Sequence, residues 1–229
     1  ARFKFTLIDM LALKLSREIS IDRTEIDGAE LFIKFDENGR SNFSGIHLIE
    51  SEEGSRLSFR YDAVNVAVRD SVVHFGDISH KIAGEAKDLG IGLTPTGERT
   101  AAGDPRFRFN LSSSGSAFSY DDRTVENLDI RANGVIDGTG ADLTEVTVRS
   151  PLGEASASGR LDDWKNLNYS GDINSTVDLT QASMLLASTT ALRGVGNFKG
   201  KVSGAGEQYK IEGTIDSEAL RADGVYLKA

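Results

Sequence analysis

The sequence predicts an all-β protein: one long, curved antiparallel sheet forming a β-groove, with one apolar concave face and one or two short helices. Three observations carry this expectation. Short runs in which apolar and polar residues alternate recur along the 229 residues, the period of a half-buried strand. Glycine is abundant (24) and proline rare (3), and the glycines fall inside the alternating runs. The chain is 39% hydrophobic but only 7% aromatic, with one Trp and 11 Phe, fewer large side chains than a two-sheet sandwich of this length would use.

The pattern is clearest from Val125 to Leu161. LDIRA alternates through Leu128, Ile130 and Ala132, NGVIDGTGAD turns the chain, and LTEVTVRS places Val146 and Val148 on one face. SPLG turns it again, and EASASGRL offers only Ala155 and Ala157, so the sheet is thin there. Gly159 is expected to end or bend that strand. Related units surround Gly84, Gly200 and Gly213 at irregular spacing, a loose repeat that reads as one meandering sheet.

In chain order, residues 3–16 satisfy a helical face through Leu7, Met10 and Leu11 and alternation through Leu13 and Leu15, and read as a short helix or turn leading into a strand. Strands are expected through Ile19 and Ile21, and through Leu31, Ile33 and Phe35. DENGRSNF then closes a hairpin, with Asn38-Gly39 supplying the positive φ. The polar stretch 95–106, with two of the three prolines, divides the chain into segments 1–94 and 107–229, or lies within one continuous domain. Phe107 and Phe109 begin the regular part. Ile173, Val177 and Leu179 share a face, a helix over Leu179 to Leu186 takes Thr180 as N-cap, and strands at Val195–Val202, Tyr209–Ile215 and Val225–Leu227 end the chain.

A net charge of −9 and a pI near 4.9, with no basic stripe, exclude nucleic acid as a partner and disfavour anionic membrane surfaces. The absence of cysteine removes disulfides, thiolate zinc sites and cysteine nucleophiles. No run reaches the ~18–20 apolar residues of a membrane span. FTLIDMLALKL is broken by Asp9 and Lys14, and the patterned ends suggest a segment of something longer.

Catalytic and metal signatures are sparse. His74 and His80 flank Asp77 in HFGDISH and would become metal ligands only if a hairpin joined them; the simpler reading is two strand residues around a turn. GTGAD at 138–142 matches the core of a calcium-binding repeat and DENGRS the start of an EF-hand loop, but the first is single and the second lacks its glycine and glutamate at the required places. GVGNFKG at 194–200 departs from a dinucleotide fingerprint and leads into a strand. The acid pairs Asp121-Asp122 and Asp162-Asp163 belong to turns. No cofactor is expected, and the protein reads as a non-enzyme.

A family resemblance enters at GAELFIKFDENGRSNF. The turn D-x-x-G-x-x-N (Asp36, Gly39, Asn42), the later hairpin residues Val66, Val68, Asp70, Val73, Phe75 and Asp77, and the middle unit of Leu128, Ser150, Pro151, Leu152, Gly153, Gly159 and Leu161 resemble the AsmA-like family and the related TamB over roughly residues 19–229. DLTQASMLL is similar to a short helical insert of that family. The resemblance implies a taco-like β-groove in the periplasm of a Gram-negative envelope. It also implies an inner-membrane anchor and other membrane contacts outside this segment, and a role in phospholipid traffic to the outer membrane.

On that reading the groove floor holds Leu128, Ile130, Val146, Val148, Ile173, Val177, Leu179, Phe198, Val202, Ile211 and Ile215. About fourteen strands at ~4.8 Å would give a groove of roughly 65 Å. The alternative is a protein-binding scaffold that helps assemble outer-membrane β-barrel proteins by pairing an edge with a client strand. A carbohydrate-binding reading would need aromatic platforms, and Trp164 and the 5 Tyr are too scattered.

Overall fold

The computed structural model describes residues 2–3, 18–20, 23–38, 40–42, 58–60, 64–164, 166–185, 192–206, 208–217 and 221–222. The expectations for residues 3–16, for Ile21, for the φ of Gly39 and for a strand at Val225–Leu227 fall outside these residues, apart from Phe3. The described chain is β throughout except for one short helix. Long strands follow one another through short turns: β6 (Asn65–Asp77), β7 (Ile82–Arg99), β8 (Pro105–Tyr120), β9 (Arg123–Ile136), β10 (Ala141–Ser150), β11 (Gly153–Asp163) and β12 (Asn168–Asp178). Helix α1 (Leu179–Leu185) comes next, then β14 (Val195–Ala205) and β15 (Gln208–Ser217). β13 (Leu192–Arg193) pairs with β16 (Arg221–Ala222) apart from the main sheet, as β2 (Glu18–Ser20) does with β5 (Ser58–Arg60).

The main sheet has 12 strands. Eleven lie on one path, from β1 (Arg2–Phe3) and β3 (Arg23–Asp27) through β6 to β12 and on to β14 and β15. At ~4.8 Å per strand the path runs for about 50 Å, shorter than the sequence suggests. From β6 onward each pairing is antiparallel, as expected of strands joined by tight turns. The N-terminal edge departs from the meander: β3 pairs with the first part of β6 and β4 (Glu30–Phe35) with its second part, both in parallel. The turn at 36–42 does close, with a single antiparallel bridge from Phe35 to Ser41. The strand that settles on β4 is nevertheless β6, reached by a crossover, because parallel neighbours need a long connection.

The polar stretch 95–106 is mostly strand. Pro95 pairs with Phe107 and Arg99 with Pro105, leaving Thr100–Asp104 as the turn. Gly159 likewise lies mid-strand, opposite Gly171, and β11 continues to Asp163. The helix begins where expected, but its cap is Asp178 and not Thr180. The Asp178 carboxylate accepts the N–H groups of Thr180 (2.8 Å) and Gln181 (3.1 Å), and a carboxylate one residue before the helix satisfies the orphan donors of its first turn.

A line of bulges crosses five successive strand positions. Gly28 (φ 62°) separates β3 from β4, and Asp70 (46°), Asp88 (44°), Gly115 (62°) and Asn127 (56°) interrupt β6, β7, β8 and β9. The ladder slips by one residue at each of the last four. Bulges bend and over-twist a strand, so five side by side make a corner in the sheet. Leu89 and Leu128 are buried there with Ser71, Ser113 and Ser116, whereas Val64, Ala141 and Ser183 are buried elsewhere.

Candidate functional site: the apolar face

In antiparallel strands, residues directly opposite one another share a face, so the registers sort every side chain. One row runs Val68, Ile91, Leu111, Ala132, Val146, Ala157, Ile173, Gly200, Gly213. The next row on the same face runs Val66, Leu93, Phe109, Gly134, Leu143, Gly159, Gly171, Val202, Ile211. A third runs Ser113, Ile130, Val148, Ala155, Ser175, Phe198, Ile215. The opposite face is polar; a representative row is Ser112, Arg131, Thr147, Ser156, Asn174, Lys199, Thr214.

Among the described residues the strands outside the main sheet form only the short pairs β13–β16 and β2–β5, so no second sheet of comparable size faces the apolar rows. The two faces still differ in exposure. Along β12, Tyr169, Gly171, Ile173, Ser175 and Val177 are half-buried while Ser170, Asp172, Asn174 and Thr176 are exposed. A curved sheet has this asymmetry, because side chains converge on a concave face and splay on a convex one. Only four apolar side chains among the described residues are buried, Val64, Leu89, Leu128 and Ala141.

Glycine and aromatic residues together shape this surface. A Cβ on Gly159 would meet the backbone of Ser170 and Gly171, and one on Gly213 would meet the backbone of Lys199 and lie 2.7 Å from the Phe198 ring. Paired glycines thus let adjacent strands pinch together, and the ring covers the backbone they leave bare. Phe109 stands in the same relation to Gly134, at 2.8 Å.

Of the eleven residues expected on the floor, ten share this face. Leu128 is buried, and Ile130, Val146, Val148, Ile173, Val177, Phe198 and Val202 are half-buried. Ile211 and Ile215, on the edge strand, are 54% and 76% exposed. Leu179 is the exception. It opens helix α1, and its Cδ2 lies 3.2 Å from where a Gly196 Cβ would stand, so it covers the face at Gly196 instead of belonging to the sheet. Asp178 is the cause, because its capping turns the chain off the ladder one residue earlier.

Sequence reasoning missed the other half of the surface. Val66, Val68, Ile91, Leu93, Phe107, Phe109 and Leu111 lie on the same face, and beyond the corner so do Leu31, Ile33, Phe75, Phe118 and Tyr120. Leu31, Phe75, Phe118 and Tyr120 are exposed. Their alternation was legible, but the bulges shift its phase, so the two halves cannot be aligned by counting.

The rims are polar. The Asp137 carboxylate accepts from Thr139 Oγ1 (2.6 Å), Thr139 N (2.9 Å) and Gly140 N (3.1 Å). The Thr139 hydroxyl above all, the backbone donors and the nearby Arg106 guanidinium hold that carboxyl below its ordinary range. Arg106 also donates to Asp142 (2.8 Å), and Trp164 donates its indole N–H to Asp137 O (3.1 Å), joining two adjacent turns. GTGAD is therefore a carboxylate-capped hairpin. DENGRS is too: Asp36 accepts from Asn38 N (2.8 Å) and Arg40 N (2.9 Å).

The two histidines do not converge. His74, on β6, stacks on Phe32 with ring centroids 4.5 Å apart and lies 3.0 Å from Glu30 Oε1, while His80 pairs with Asp77 in the turn at 2.8 Å. Among the described residues no group of three or more His, Asp or Glu is placed to hold a metal.

Comparison with protein-family models, curated proteins and solved structures found no match.

Proposed function

We propose that this chain is the periplasmic segment of an AsmA/TamB-like envelope protein, and that its apolar face shields or conducts phospholipid acyl chains between the inner and outer membranes. The observation that carries the reading is the run of apolar rows crossing the sheet, with no second sheet of comparable size over them among the described residues. Soluble proteins seldom expose a contiguous apolar surface of this extent without a ligand for it. Each buried CH₂ contributes ~0.8 kcal/mol, so an acyl chain of about sixteen carbons gains roughly 13 kcal/mol by leaving water. Because similar side chains repeat every strand, that gain varies little along the face, and a chain lying across the strands slides without a large barrier. Attachment to the inner membrane falls to regions outside this segment.

Native mass spectrometry of the purified protein, with lipid extraction of the same sample, tests this. Bound phospholipid is expected, and Val146→Asp or Ile173→Asp, each placing a charge on a half-buried floor position, is expected to remove it while the β signal in circular dichroism persists. Lipid retained in both variants would overturn the floor assignment. Protein that is empty and takes up no lipid from vesicles would overturn the reading itself.

A second reading, a scaffold that pairs an edge with a client outer-membrane strand, is favoured by one observation: β15 is exposed along its length. It predicts indifference to charges on the floor.

A further inference from the structure

Among the described residues β15 is an open edge of the sheet. One side pairs with β14 from Gly196 opposite Ser217 to Ala205 opposite Gln208, and among the described residues no strand pairs with the other. Tyr209 is 73% exposed, and Ile215 76%. Such a strand presents a row of unpaired N–H and C=O groups. Its side chains alternate strictly, with Tyr209, Ile211 and Ile215 on the apolar face and Lys210, Glu212, Thr214 and Asp216 on the polar one.

We infer that this edge pairs with the same edge of a second copy of the chain, antiparallel and centred on Gly213. The occupant follows from self-complementarity. In this register Lys210 faces the second copy's Asp216, Ile211 faces Ile215, Glu212 faces Thr214 and Tyr209 faces Ser217, so opposite charges meet twice and apolar pairs meet twice. Centring on Glu212 sets that carboxylate against its own mate, and centring on Thr214 opposes Glu212 to Asp216. Centring on Ile211 shortens the overlap to the stretch 208–214. A half-step between residues turns one apolar face over, a change that alternation forbids. Within one chain Lys210 already lies 2.6 Å from Glu212, with both side chains about two-thirds exposed, so it is free to share its charge with the opposing acid.

The twofold axis stands normal to the sheet, so both apolar faces point to the same side. Two eleven-strand paths then join into one surface about twice as long.

Sedimentation velocity and light scattering on the full chain, from micromolar concentrations upward, test the pairing. The mass is expected to rise from 24.7 kDa to twice that value. Lys210→Asp alone and Asp216→Lys alone each turn two attractions into repulsions and are expected to weaken association at least about tenfold. The double charge swap restores it. Cysteine is absent from the chain, so Lys210→Cys with Asp216→Cys should give a disulfide-linked dimer on oxidation. Lys210→Cys alone should give none, its mate being six residues, roughly 20 Å, away along the strand. A monomeric mass throughout, a dimer indifferent to the single swaps, or the absence of the engineered cross-link would each overturn the inference.

Discussion

At the scale of single residues, acids act here mainly on local backbone and hydroxyl groups. Asp77, at the end of β6, accepts from Ser79 Oγ (2.6 Å), His80 N (3.1 Å) and the His80 ring (2.8 Å). These bonds, the Ser79 hydroxyl first, lower its carboxyl from 3.8 to about 2. The sign follows directly. A carboxyl more acidic in the folded state than in the unfolded one stabilises fully above about pH 4, and its contribution is lost as pH falls through about 2. A side-chain carbon NMR titration should therefore find the Asp77 midpoint near 2 in the native protein, and Ser79→Ala should move it upward toward 3.8. An unmoved midpoint would mean that the hydroxyl is not the main cause. Asp121 is held low by Lys81, 2.8 Å away, on an exposed turn where such a pair adds little stability.

At the scale of elements, the corner depends on serine. The bulge at Asp88 removes ladder bonds from Lys87, and two hydroxyls replace them. Lys87 N donates to Ser116 Oγ (3.0 Å), Ser113 Oγ donates to Lys87 O (2.9 Å), and the hydroxyls lie 2.5 Å apart. Since Ser113 spends its one proton on the carbonyl, Ser116 donates to Ser113 and the ring closes. At the neighbouring bulge Ser71 accepts from Ala29 N (3.1 Å) and donates to Arg69 O (2.8 Å). With Ser116 only 2% exposed, Ser116→Ala leaves an amide without its acceptor and should cost about 1–3 kcal/mol in urea unfolding. A surface serine such as Ser158 should cost almost nothing. Equal effects would show that the hydroxyl ring carries no structural weight.

At the scale of the molecule, the described strands form one main sheet with no second sheet of comparable size against it, and such an arrangement stores less hydrophobic stabilisation than its length allows. A compact protein of this size would show a heat-capacity change on unfolding of about 3 kcal/mol/K, in proportion to the apolar surface it uncovers. Here most of the apolar face is already half-exposed, so calorimetry should give a clearly smaller value. A value at the compact level would imply a cover over the face and would count against an open groove. Bound lipid would raise the melting temperature with concentration, as any ligand of the native state does.

The alternation in LDIRA, in VTVRS and in the strands around Ile173 and Phe198 determined by itself which side chains share a face, because a strand's period of two is local and survives wherever the strand is unbroken; the bulge after Leu143 lies outside that reach. The hairpins at Ser150–Gly153 and Asp137–Gly140 were legible for the same reason, their chemistry lying within four residues. What only the tertiary structure decided is non-local. Asp70, Asp88 and Asn127 look like ordinary polar residues in sequence, yet they adopt positive φ and bend the sheet because bulges in neighbouring strands align with theirs. Residues 66–77, expected as a hairpin, lie in the single strand β6, and Asp70 sits at a bulge within it. The parallel seating of β3 and β4 on β6 depends on a crossover whose ends are far apart in the chain. Local pattern chooses the face of a residue; only long-range pairing chooses its neighbours, the curvature of the sheet and the edge left open.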